Sequence, residues 1–105
     1  MTSDEIWIAI SALDPSAEIK IDMPGGWIVQ LPNTVYEAFN AMCVVTLPYA
    51  PSKEQAIKRM WDHLLSLQET VTLHRDLGPA ESLSGRSYEE VQWNDSKWVR
   101  IRTDE

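Results

Sequence analysis

Apolar residues in this chain recur with two different periods, and the switches between them mark out its elements. In "EIWIAISAL", Ile6, Ala9, Ile10 and Leu13 follow helical spacing. Thr2 and Glu5 fit a capping box and Asp14-Pro15 makes a stop, so a short helix is predicted over about residues 4–13. The isoleucine content of the same stretch would also suit a strand. Trp7 lies off the Ile6/Ile10 line and is expected toward solvent. "EIKIDM" then alternates Ile19, Ile21 and Met23 against Lys20 and Asp22, the period of a half-buried strand. Pro24-Gly25-Gly26 supplies turn chemistry, and Trp27–Leu31 returns as the hairpin partner. After a turn at Pro32-Asn33, one further strand is expected somewhere within residues 35–47, where "CVVTL" is β-prone.

Pro48-Tyr49-Ala50-Pro51 breaks the chain, and Ser52 with Gln55 forms a second capping box. Ala56, Ile57, Met60, Trp61, Leu64, Leu65 and Leu67 then hold the 3.6-residue period, with Lys53, Glu54, Lys58, Arg59 and Asp62 largely opposite. A long amphipathic helix is predicted over about 53–68. "TVTLH" suits a brief strand, and "DLGPAESLSGRS" reads as a loop with Gly78-Pro79 and Gly85 as breakers. A last hairpin is expected at about 87–93 and 98–102, turning at Asn94-Asp95-Ser96-Lys97. If Val99 and Ile101 point inward, alternation sends Trp98, Arg100 and Arg102 to the other face. The predicted architecture is α+β: an antiparallel sheet with the long helix packed on one face.

At 105 residues the chain suits a single domain, residues 1–105. One cysteine, Cys43, allows no internal disulfide and fits a reducing compartment. No apolar run reaches membrane-spanning length, and "MTSDE" lacks the basic start of a signal peptide. The expectation is a soluble cytoplasmic protein with no membrane association.

Charge narrows the partners. The net charge is −7. Residues 1–50 hold Asp4, Glu5, Asp14, Glu18, Asp22 and Glu37 against Lys20, a net of −5, and the remainder carries −2. Phosphate backbones are bound through Lys and Arg, so nucleic acid is disfavoured as a partner. A protein with a basic face is favoured, and Asp14, Glu18 and Asp22 are the candidate contacts.

Candidate chemistry is sparse. Trp98 flanked by Arg100 and Arg102 suits a partner-binding surface, since Trp and Arg are enriched at interface hot spots. The same residues also suit a broad edge of the core, with Arg packed on Trp. Trp61 belongs to the apolar helix face. Cys43 sits between Met42 and Val44, and neither His63 nor His74 carries a local signature linking it to the thiol. Glu89-Glu90 would face opposite sides of a strand as solvated surface. There is no HExxH, no paired Cys-x-x-Cys and no Asp-rich loop. No metal or cofactor is implied, and the expectation is a protein that is not an enzyme.

Two family resemblances rest on the middle of the chain. The order of helix, Pro-Gly-Gly hairpin, strand and then "PSKEQAIKRMWDHLL" resembles the double-stranded-RNA-binding domain, with Ser52, Lys53 and Ala56 matching that family's second-helix motif. The motif's two further phosphate-gripping lysines fall on Glu54 and Ile57. "GGWIVQLPN" followed by a strand and the same capped helix resembles the HicB antitoxin family, with Gln55-Ala56 nearest its usual Glu-Ala pair. That likeness implies a small acidic protein neutralising another protein by contact. The expected function is therefore a non-catalytic binding or regulatory protein, such as a bacterial or phage-encoded inhibitor of a nucleic-acid-binding machine. The alternatives are a nucleic-acid-binding module using Arg75, Arg86, Lys97, Arg100 and Arg102 with Trp98 stacking, and an oligomeric structural component.

Overall fold

A computed structural model describes residues 1–22, 25–46, 49–79, 86–94 and 96–103, with backbone alone at Asp22, Pro79 and residues 100–103. The order is α1 (Ser3–Leu13), β1 (Glu18–Asp22), β2 (Gly26–Gln30), β3 (Thr34–Ala38), β4 (Ala41–Val44), α2 (Lys53–Gln68), β5 (Leu73–Pro79), β6 (Arg86–Asn94) and β7 (Lys97–Thr103). All pairings are antiparallel. β1 and β2 form a two-stranded sheet, and the other five align in the order β4-β3-β5-β6-β7. The α+β architecture expected from the sequence is present, divided between two sheets.

α1 forms where the pattern placed it. The Thr2 hydroxyl accepts from the Glu5 N–H at 3.2 Å, and the Glu5 carboxylate accepts from the Thr2 N–H at 3.1 Å. Removing that hydroxyl in Thr2→Ala is expected to lower stability by about 1 kcal/mol, read as a shift in urea midpoint. Ile6, Ala9, Ile10 and Leu13 are buried. Trp7, expected toward solvent, is half-buried against the same core.

α2 opens on Ser52, whose hydroxyl accepts from the Gln55 N–H at 3.2 Å. It buries Ala56, Ile57, Met60, Trp61 and Leu64. Both helices lie on one side: they pack on each other, α2 on β2 and α1 on β7. A continuous core joins them to Val29, Leu31, Val45, Leu73 and Val91 of the strands and connections. Gly26 adopts φ 112°, and a Cβ there would stand 2.7 Å from the Ala50 carbonyl oxygen. That bare backbone lets Trp27 and Ala50 exchange two hydrogen bonds of 2.8 Å, tying β2 to the approach of α2.

Four expectations need correction. Residues 35–47 hold two strands, not one, because Phe39-Asn40 makes a tight turn with φ of 53° and 63°. Neither residue is the glycine that normally announces such a turn. The stretch from Asp76 is not all loop: β5 continues to Pro79 through a register shift between Asp76 and Gly78. Gly78 takes φ 96° there, serving a bulge rather than breaking the strand. The other predicted breaker, Gly85, lies outside the described residues.

The third correction concerns β7. Counting back from the turn, where Asn94 faces Lys97, Trp93 stands opposite Trp98 and Gln92 opposite Val99, and the register shifts only farther on, between Glu90 and Val91. Paired residues share a face, so Trp98 turns toward the helices and Val99 away, the opposite of the arrangement with Val99 pointing inward. Glu89 is the fourth. It is buried at 4% exposure and bridged to Arg75 at 3.1 Å, whereas Glu90 is half-buried on the opposite face.

Candidate functional site

The outer flank of α1 and the tip of the β6–β7 hairpin enclose a groove of about 680 Å³. Its floor comes from the hairpin. Trp93 and Trp98 meet edge to face at 5.3 Å, and both contact the buried Trp61 of α2, at 4.7 and 6.1 Å. Such aromatic pairs are favourable beyond the area they bury. The Trp98 indole N–H donates to the Ala9 carbonyl at 2.8 Å, fastening the hairpin to α1. The Gln68 side chain brackets the Trp93 backbone, accepting from its N–H at 2.8 Å and donating to its carbonyl at 3.3 Å.

Arg75 closes one end. Its guanidinium donates to the Leu13 carbonyl at 2.6 Å and the Ala12 carbonyl at 3.1 Å while bridging Glu89. α1 has no basic residue in its last turn, and this cation from a distant strand satisfies carbonyls that a helix end leaves open. Ile8 is 70% exposed and Met1 62% exposed on the rim, where Glu5 and Lys97 add one charge of each sign. The helical period separates Ile8 from the buried stripe: it falls two residues after Ile6, on the other side of the helix. The rigid, half-covered indoles with an apolar rim make a surface suited to contact with another molecule's side chains.

Of the residues singled out from sequence, Asp14 and Glu18 do not line the groove with Trp98. Trp98 reaches the groove but is half-buried in the aromatic cluster. Arg100 and Arg102 sit opposite Val91 and Glu90 in the register, and their side chains lie outside the described residues. Asp14, expected on an acidic surface, is completely buried. Its carboxylate accepts from the Ser16 N–H at 2.9 Å, the Asn33 N–H at 2.8 Å and the Thr34 hydroxyl at 3.3 Å. Glu18 is exposed at the start of β1, and Asp22 ends the same strand with its side chain outside the described residues.

Other candidates also find internal roles. Arg86 bonds Asp76 twice, at 3.0 and 2.7 Å. Burial works to raise the Asp76 pKa, but hydrogen bonds from Arg86 and the Gly78 N–H, with the Arg86 charge, hold it below the usual value. Arg75 and Arg86 thus both have acidic partners within the fold. Cys43 pairs with Tyr36 and His74 with Val35, so thiol and imidazole project from opposite faces of the sheet. The described residues contain no group of three His, Cys, Asp or Glu placed to hold a metal ion, and no helix among them is long and apolar enough to cross a membrane.

The sheet that the RNA-binding likeness requires also differs, because β3 pairs with β4 and β5 rather than with β2. No family model, no curated protein and no solved structure matches the chain.

Proposed function

We propose that this chain is a non-catalytic binding or regulatory protein acting by direct contact with another protein. The groove between α1 and the β6–β7 hairpin is the observation that carries this reading: two half-covered tryptophans form its floor and Ile8 its exposed apolar rim. Interface cores favour large rigid aromatics surrounded by groups that exclude water. Its acidic end, Glu5, continues into exposed Asp4, and with a chain charge of −7 this favours a partner with a basic face. Inhibition of a nucleic-acid-binding protein is the sharper form of the proposal and rests on that charge.

Ile8→Glu is the test. The side chain is mostly solvent-exposed, so the variant should keep its stability within about 0.5 kcal/mol. Tagged wild-type protein is expected to retain a stoichiometric protein from bacterial lysate after nuclease treatment, and Ile8→Glu to lose it. Equal capture by both would remove the groove from the interface. Capture that disappears with nuclease would favour the nucleic-acid alternative. Trp98→Ala is a poorer probe, because its ring supports the core.

A further inference from the structure

The five-stranded sheet ends in two unlike edges. β7 carries Lys97, Arg100 and Arg102 and runs beside α1, and edge cations guard against strand addition. β4 has no charged residue in Ala41–Val44, and among the described residues no strand pairs on its outer side. Met42 and Val44 are exposed there. Phe39, in the turn before it, is fully exposed while held at φ 53°. Bulky side chains rarely occupy that region, and the exposed ring adds nothing to the core.

We infer that β4 is a self-association edge, pairing antiparallel with β4 of a second copy about a two-fold axis, with Phe39 of each copy seated in a cavity of the other. The backbone sets the register. Ala38 and Ala41 close the two-residue turn, and the Val45 N–H donates to the Thr34 carbonyl at 3.4 Å. Odd-numbered positions of β4 therefore turn their backbone groups toward β3, leaving those of Met42 and Val44 directed outward. A two-fold pairing that keeps matching faces together and uses both outward residues centres on Cys43. Met42 then lies opposite the second copy's Val44, and Val44 opposite its Met42, each pair exchanging both backbone bonds. The exposed apolar side chains meet one another.

The same register sets Asn40 opposite the second copy's Thr46, which delivers the Phe39 turn to an apolar cavity. That cavity, of about 270 Å³, is lined by Ile28, Leu31, Pro32, Val44, Val45 and Thr46. Knob and hole are separate features of the fold, and the pairing rule brings them together. Charge agrees: a chain of net −7 repels its own copies, but β4 is neutral, and its nearest acid on β3, Glu37, lies opposite Met42 one strand inward. This surface belongs to the opposite edge of the sheet from the α1 groove, so its success or failure does not depend on the partner proposed there.

Sedimentation equilibrium of the full chain over a wide concentration range reads the dimer. Phe39→Asn should weaken dimerisation by about tenfold or more, while monomer stability stays level or rises because asparagine tolerates positive φ. Val44→Lys should abolish dimerisation by placing cations near the axis. Cys43 reports the register. Its central, non-hydrogen-bonded pairing places the two Cα atoms about 4.5 Å apart, within disulfide reach. Diamide, accepting two electrons and two protons, should convert the dimer to a covalent form that Cys43→Ser does not give. A chain that stays monomeric at the highest concentration, a dimer unaffected by Phe39→Asn, or a dimer that diamide fails to link would each overturn the inference.

Discussion

Trp61→Ala is expected to lower the free energy of unfolding by about 3–5 kcal/mol, the largest loss from a single truncation on this chain. Trp61 is 6% exposed, and its ring stands edge-on to both Trp93 and Trp98. Truncation removes buried apolar surface and leaves a cavity bounded by two further rings, whose own backbone and indole ties limit collapse. Small domains are stable by only about 5–15 kcal/mol, so the variant should lie close to its unfolding threshold. Urea denaturation followed by circular dichroism measures it, with the midpoint falling and the slope unchanged. Trp61→Phe keeps an aromatic ring at the junction and should lose much less. A Trp61→Ala midpoint near wild type would mean that the three-ring cluster does not organise the core.

The second large effect is expected at Asp14. Asp14→Ala should cost about 3 kcal/mol, because two backbone N–H groups and the buried Thr34 hydroxyl lose a charged acceptor together. Asp14→Asn should fall between the two. Its single amide oxygen can keep the Asn33 and Thr34 bonds, but an NH₂ group then faces the Ser16 N–H. Glu18→Lys is the contrast: an exposed acid at the start of β1, with stability expected to change by no more than about 0.5 kcal/mol. Both are acids of the N-terminal half and look alike by charge. If Asp14→Ala were as mild as Glu18→Lys, the carboxylate would not be tying the end of α1 to the β2–β3 connection.

Local signals were most legible where an element's own residues specify it. The boundaries of α2 follow from Ser52, its capping partner and an apolar stripe at the helical period; Thr2 and Glu5 point the same way for α1, whose isoleucines equally suit a strand. The β1–β2 hairpin follows from alternation on either side of a Pro-Gly-Gly turn, although Ile21, at its outer end, is exposed at 56%. The β3–β4 turn was hidden because Phe39-Asn40 adopts positive φ without glycine. β5 runs past its sequence signal because Gly78 looks the same in sequence whether it ends a strand or accommodates a bulge.

The candidate site was less legible than the fold. In sequence Trp98 is a tryptophan beside arginines, and its orientation depends on pairing with Trp93 across the β6–β7 hairpin. Arg75 looked like a surface base, and only the closure of β5 against the end of α1 gives its guanidinium two carbonyls and Glu89. Ile8 did carry a signal, an isoleucine off the buried stripe, but its meaning waited on the hairpin that builds the groove's other wall.

By itself, then, the sequence determined the long helix, the first hairpin, the α+β class and the acidic balance, and left the first element between helix and strand, because capping, periodicity and charge act over a few residues or over the chain as a sum. The tertiary structure decided which acids are surface and which are ties, that Trp61, Trp93 and Trp98 meet, and which sheet edge is left neutral. Those outcomes depend on strand order, register and bulges, which arise from contacts between residues far apart in the chain and leave no local pattern.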